Sequence, residues 1–156
     1  MSKEMNETVA LFWKDFLTKT ERPLDTPGFE VFHFCLKEED AGALLKLVLE
    51  GKKRATASSL TIYEMEGQPV PKVGDLSIVT DFAGIPHCVI ETTAVTILPF
   101  RDMTFDICSR EGEDDTLESW QEGHVRFFTA EGKAAGFEFT WDMPVVFEDF
   151  EVVYTG

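Results

Sequence analysis

Gly51-Lys52-Lys53-Arg54-Ala55-Thr56-Ala57-Ser58-Ser59 sets three adjacent cations against a run of small and hydroxyl side chains. Residues 41–50 ahead of it are rich in Leu and Ala, and Gly51 is a natural helix stop because glycine enters the left-handed region cheaply. A helix that ends at Gly51 delivers the cations to a fixed place. The chain around them carries a formal net charge of −15. Cations kept against such a field usually hold something anionic or polar.

Outward from that stretch, helical and extended patterns alternate. Val9, Phe12, Trp13, Phe16 and Leu17 recur at helical spacing with Lys14, Asp15 and Lys19 between them, which predicts an amphipathic helix over 6–20 capped by Asn6 or Thr8. Residues 23–28 read as a turn-rich connector and 29–35 as a strand. Glu38-Glu39-Asp40 places acids at the positive start of the next helix. The basic segment 52–59 is expected as a loop, as is 69–74. Residues 76–80 and 87–94 read as paired strands, with 95–98 extending the second. Residues 109–115 form an acidic loop, and Thr116 caps a helix from 117 to about 129. In that helix Leu117, Trp120, His124, Phe127 and Phe128 share a face. Residues 130–137 read as a Gly/Ala connector, and 144–154 as a final strand or strand pair. The order defines an α+β domain, a small closed β-barrel with peripheral helices. Residues 1–28 read as an N-terminal helical extension to a domain over 29–156.

The composition of the 156 residues is globular, with 44% hydrophobic and 28% charged side chains and 14 phenylalanines for a core. The 29 acidic residues outnumber the 14 basic ones. This disfavours duplex DNA, whose binding rests on many Lys/Arg–phosphate contacts, but permits a local basic pocket. Cys35, Cys88 and Cys108 are too scattered for a disulfide framework, which points to a reducing, cytoplasmic setting. The first residues lack the apolar core of a signal peptide, and no apolar run approaches a membrane span. His33, His87 and His124 are far apart and the cysteines lack zinc spacing, so no metal is expected. Walker, Rossmann and EF-hand patterns are absent, so no cofactor is expected either.

Gly51, Lys53 and Thr56 match three positions of the G-x-K-x-x-T-x-R core motif of the ASCH family, with Ser58 where the family often has Arg. Lys72-Val73-Gly74-Asp75 matches a K-x-G-D element that recurs in that family and in related PUA-like barrels. The chain resembles ASCH proteins over roughly 31–154. The resemblance implies a PUA-like β-barrel with a cleft that binds RNA or a modified pyrimidine nucleoside. Some ASCH proteins hydrolyse the acetyl amide of acetylated cytidine with a Lys, a Thr and a Glu. The resemblance then makes Thr56 the nucleophile, Lys53 its base and Glu113 the proton donor, with Glu111 the second choice of acid. Another ASCH line is ribonuclease-like or RNA-binding. There Lys53 and Arg54 meet phosphate while Tyr63 or Trp120 stacks a base.

Read without the resemblance, the same residues have plainer roles. Lys52, Lys53 and Arg54 are solvated cations at a helix C-terminus, although Lys52 and Arg54 would also depress the pKa of Lys53. Residues 110–115 are a solvated acidic loop. His124 is either a general acid/base or a hydrogen-bonded boundary residue. Ser58 and Ser59 either donate to a ligand or cap a turn. The ligand set is thus Gly51, Lys52, Arg54, Ser58, Ser59, Tyr63, Glu111, Trp120 and His124. The partners expected are RNA or a small nucleoside, with a homodimer left open and no membrane. A non-catalytic RNA-binding or regulatory module is the alternative. Lys53→Ala is expected to remove activity without large destabilisation.

Overall fold

Five strands form one mixed sheet among the residues that the structure describes, which are 7–28, 30–34 and 38–156 of a computed structural model. The chain runs α1 (Glu7–Lys19), β1 (Glu30–Phe32), α2 (Glu38–Leu49), β2 (Ala55–Ser59), α3 (Leu60–Glu66), β3 (Leu76–Thr80) and β4 (Pro86–Pro99). It continues through α4 (Phe105–Cys108), α5 (Leu117–Ala135) and β5 (Pro144–Tyr154), with 3-10 turns at Phe100–Asp102 and Ser109–Glu111. The sheet order is β1-β3-β4-β5-β2. β1 lies parallel to β3, and the other neighbours are antiparallel. The α+β expectation holds. The barrel is a half-barrel, because the ladder stops at β1 on one side and β2 on the other, leaving a seam between them.

Alternation along the strands divides the core. Leu76 and Ile78 of β3 and Val89 of β4 pack on Val9, Trp13, Phe16 and Leu17 of α1. Their neighbours Val79, Cys88 and Ile90 point the other way, to Leu45 and Val48 of α2, to Phe34 and to Phe150. Side chains advance with period two in a strand, so one sheet holds a helix on each face. Each large apolar residue buried is worth roughly 1.5–3 kcal/mol. The buried stripe of α1 therefore holds that helix in place. A third cluster joins Ala55 of β2, Val145 and Phe147 of β5, Phe100, and Trp120 and Phe128 of α5.

Two expectations change and one element is new. Residues 55–59 are a strand rather than part of a loop, because they pair with 145–149 of β5. A short helix, α3, follows at once and ends at Gly67, whose φ of 64° is left-handed. α5 continues to Ala135 through the expected connector, because Ala130, Ala134 and Ala135 are strong helix formers. Gly132 inside it is no breaker; a Cβ there would strike the Phe137 carbonyl, so glycine permits close packing. Asn6, Phe29 and Cys35 lie outside the described residues, and Thr8 lies inside α1.

Candidate functional site

The three adjacent cations separate by alternation as the chain enters β2. Lys52 and Arg54 are exposed, whereas Lys53 is only 2% exposed. Lys53 Nζ donates to the Ala55 carbonyl at 3.0 Å, to Glu111 Oε2 at 3.2 Å and to Glu113 Oε2 at 2.7 Å. An ammonium has three donors, so these acceptors use all of them. The Phe34 ring centroid lies 5.2 Å from the same nitrogen.

The acidic segment is brought to Lys53 by its backbone. Arg54 N–H donates to the Arg110 carbonyl at 3.0 Å. Gly112 turns the chain with a φ of 73°, and a Cβ there would strike the Lys52 carbonyl. Only glycine lets residues 111 and 113 flank such a close approach and both reach Lys53. Arg110 then anchors the segment to β5, with Nη1 2.7 Å from Asp149 Oδ1.

Glu111 is the hub of the cluster and is 3% exposed. Its Oε1 accepts from Trp120 Nε1 at 2.8 Å and lies 3.3 Å from His124 Nε2. His124 Nδ1 is 2.9 Å from the Trp120 carbonyl, and the two rings stack with centroids 4.0 Å apart. Burial disfavours charge on all three titratable groups, yet their mutual attraction wins. Burial pulls the Lys53 amine down, and Glu111 and Glu113 more than restore it, so it stays charged well above neutrality. Burial pushes the Glu111 carboxyl up, but Lys53, His124 and Trp120 hold it below the usual carboxylate range. His124 is raised in turn, mainly by Glu111, against the pull of burial. A charged Lys53 with every donor engaged is unsuited to taking a proton from Thr56.

A cleft of about 920 Å³ opens beside this cluster, in the seam of the half-barrel. Residues 30–34 along β1 form one wall and Thr56, Ala57 and Ser58 of β2 the other. Ile62, Tyr63 and Glu66 of α3, Phe127 and Glu131 of α5, and Glu148 of β5 complete the lining. Thr56 and Glu148 are directly cross-strand, a placement that sets their side chains side by side on one face. Glu148 Oε2 accepts the Thr92 hydroxyl at 2.6 Å. Burial raises the Glu148 carboxyl to about 7, against the Thr92 hydrogen bond and with help from Glu30, Asp75 and Asp149. Burial also pushes the Tyr63 hydroxyl up to about 12.

The residues singled out from sequence thus fall into three groups. Thr56, Ser58 and Tyr63 line the cleft. Lys53, Glu111, Glu113, Trp120 and His124 form the ion cluster behind it, with the Glu113 side chain 27% exposed. Gly51, Lys52 and Arg54 are exposed outside both, and Ser59 is buried with its hydroxyl 3.6 Å from Met143 Sδ. Trp120 is fully buried against Phe100 and His124, so the aromatic rings on the cleft belong to Phe32, Phe34, Tyr63 and Phe127. Phe127 is 42% exposed. Glu148, Glu131 and Glu30 escaped the sequence reading. Glu148 shares the apolar run of 144–154 with Asp149 and Glu151, so nothing local in the sequence singles it out. Among the described residues, no group of His, Cys, Asp and Glu is arranged to hold a metal, and no helix is long and apolar enough to cross a membrane.

A family model for the ASCH domain matches residues 30–154. The crystal structure of an ASCH domain from Lactobacillus crispatus JV V101 is 37% identical, with a TM-score of 0.89 over 97% of this chain and 98% of that one. A protein from Enterococcus faecalis V583 is 38% identical, also with a TM-score of 0.89, over 97% of this chain and 91% of that one. No curated protein matches the chain.

Proposed function

The chain belongs to the ASCH domain family, and from that premise we propose that it takes a pyrimidine nucleoside, free or at an RNA single strand, into the seam between β1 and β2. The cleft itself carries this reading. It is large enough for a nucleoside, hydroxyl-bearing at Thr56, Ser58 and Tyr63, and fringed by the open ring of Phe127. Aromatic faces and hydroxyls are what an unstacked base requires. Lys53 serves as the strut that fixes the acidic segment behind this wall. For an RNA ligand, the exposed Lys52 and Arg54 meet phosphate outside the cleft.

Hydrolysis of a modified nucleoside is the second reading, favoured by the position of Thr56 in the cleft. A hydroxyl needs a base to become a nucleophile. Glu148, cross-strand from Thr56 and raised to about 7, is better suited to that task than the charged Lys53. The proton taken up by Glu148 then passes to the leaving amine, because Glu113 is paired with Lys53 behind the cleft and does not line it.

Titration of cytidine, acetylated cytidine and a short single-stranded RNA into the protein, read by NMR shifts and by product formation, tests both readings. Shifts that map to β1, β2 and α3 and vanish in Thr56→Ala and Tyr63→Ala support the nucleoside site. Turnover lost in Thr56→Ala and Glu148→Gln supports hydrolysis. Binding that ignores all of these variants refutes the assignment of the cleft.

A further inference from the structure

The wall of the seam has a one-sided chemistry. Glu30, Glu66, Glu131 and Glu148 line it, and among the described residues no lysine or arginine does. Two polar atoms of lining residues, Glu131 Oε1 and His33 Nδ1, are buried with no hydrogen-bond partner among the described residues. A buried polar atom without a partner costs about 1–3 kcal/mol, and both of these accept hydrogen bonds (the imidazole when that nitrogen is unprotonated). The local balance differs sharply from that of the ion cluster behind Phe34, where Lys53 answers Glu111 and Glu113. Among the described residues no cation lines the cleft to answer its carboxyls, and Glu148 has only the Thr92 hydroxyl. A phosphate entering there would meet repulsion from that wall, whereas an N–H donor would meet acceptors on several sides.

We propose that the cleft admits a ligand presenting an amino or amidine group, excludes phosphate from its interior, and anchors that group on Glu148. This rests on the cleft assigned above and narrows what it takes. On this basis an RNA ligand inserts only its base and leaves its backbone outside. The surroundings of Glu148 fix how the anchor behaves. Thr92 on β4 donates to it, while Glu30 on β1, Asp75 ahead of β3 and Asp149 on its own strand oppose its charge. Tyr63 and Glu66 on α3, Glu131 on α5 and His33 after β1 complete the titratable wall, and Asp149 is itself paired with Arg110. A cationic ligand therefore needs Glu148 ionised. With the carboxyl raised to about 7, its ionised fraction rises roughly tenfold between about pH 6 and about pH 8.

Benzamidine and benzoate, a cation and an anion of one shape, separate the possibilities when titrated calorimetrically into the full chain beside cytidine. Benzamidine is expected to bind, roughly tenfold more tightly at about pH 8 than at about pH 6, and benzoate not to bind. Glu148→Gln keeps a hydrogen-bond acceptor for Thr92 and is expected to abolish the pH step. Its circular dichroism and melting curve confirm that it folds. Absence of benzamidine binding, equal binding of benzoate, or an unchanged pH step in Glu148→Gln overturns the inference. If benzamidine behaves as expected while cytidine and RNA fail to bind, the nucleoside reading falls and the amine site stands. If the nucleosides bind while benzamidine does not, the reverse holds.

Discussion

Replacing Lys53 by Met is expected to damage the fold before any ligand is added. The side chain is buried, and it compensates the Glu111 carboxylate, which is 3% exposed. Lys53→Met keeps the apolar stem but leaves that carboxylate in a dry site beside Trp120. Removing one partner of a buried ion pair costs about 3–5 kcal/mol. For a domain of 156 residues this corresponds to a fall in Tm of roughly 6–20 °C. The pH dependence identifies the cause. In the wild type the folded state holds the Glu111 pKa below its unfolded value, so its contribution is present at neutral pH and is lost as pH falls through the depressed folded value. In Lys53→Met only His124 and Trp120 are left to oppose burial, so that pKa rises and the deficit is greatest near neutrality and shrinks in acid. Urea denaturation at about pH 7 and about pH 5 reads both terms. Adding Glu111→Gln to Lys53→Met should recover part of the loss. A deficit under about 1 kcal/mol, or one independent of pH, refutes the description of the pair. This replaces the sequence expectation that Lys53 can be truncated without large destabilisation.

Glu148 should show the opposite linkage. Its folded pKa of about 7 lies above the ordinary carboxylate value, so the wild type loses roughly 2–3 kcal/mol between about pH 4.5 and about pH 7. Glu148→Gln should therefore be more stable than wild type at about pH 8 and nearly equal to it at about pH 4; equal stability at both refutes the raised pKa. The His124 imidazole, with its raised pKa, should titrate above the ordinary histidine value by NMR, and Glu111→Gln should bring it down. Its stabilising contribution is present below the unfolded value and fades as pH rises through the folded one. Gly112→Ala should cost more than about 2 kcal/mol in urea melts, because it adds a clash with the Lys52 carbonyl to a left-handed φ. Gly84→Ala, left-handed but in open space, should cost about 1 kcal/mol and serves as the control.

Periodicity made most of the elements legible. The stripe of α1, the β3–β4 pair and the start of α5 at Thr116 follow from local patterns whose partners are close in sequence. The strand character of 55–59 was hidden, because Ala-Thr-Ala-Ser-Ser has little β propensity and its pairing with β5 comes from about 90 residues away. The sequence placed Lys53 and the 111–113 acids as candidates, but their burial together arises from the Gly112 turn and the anchoring of Arg110 on β5. Trp120 looked like a base-stacking ring and is instead a core residue with its N–H on Glu111. Glu148 was masked by Val145, Phe147 and Phe150, which made its strand look wholly structural.

The position of β2 at the far edge of the sheet also sets an order of assembly. On a growing polypeptide β2 is made second among the strands, yet its sheet neighbour is β5, the last strand described. Until residues 144–154 emerge, the motif strand has no ladder to join, and Lys53 must wait 58 residues for Glu111. Contacts so distant close late, because the intervening loop must first be ordered. The nascent domain therefore passes through a stage with α1 able to dock on β3 and β4 while the ligand cleft does not yet exist. The β2 wall of the cleft is therefore fixed only once β5 has formed, and on the proposed reading any binding there waits for residues 144–154.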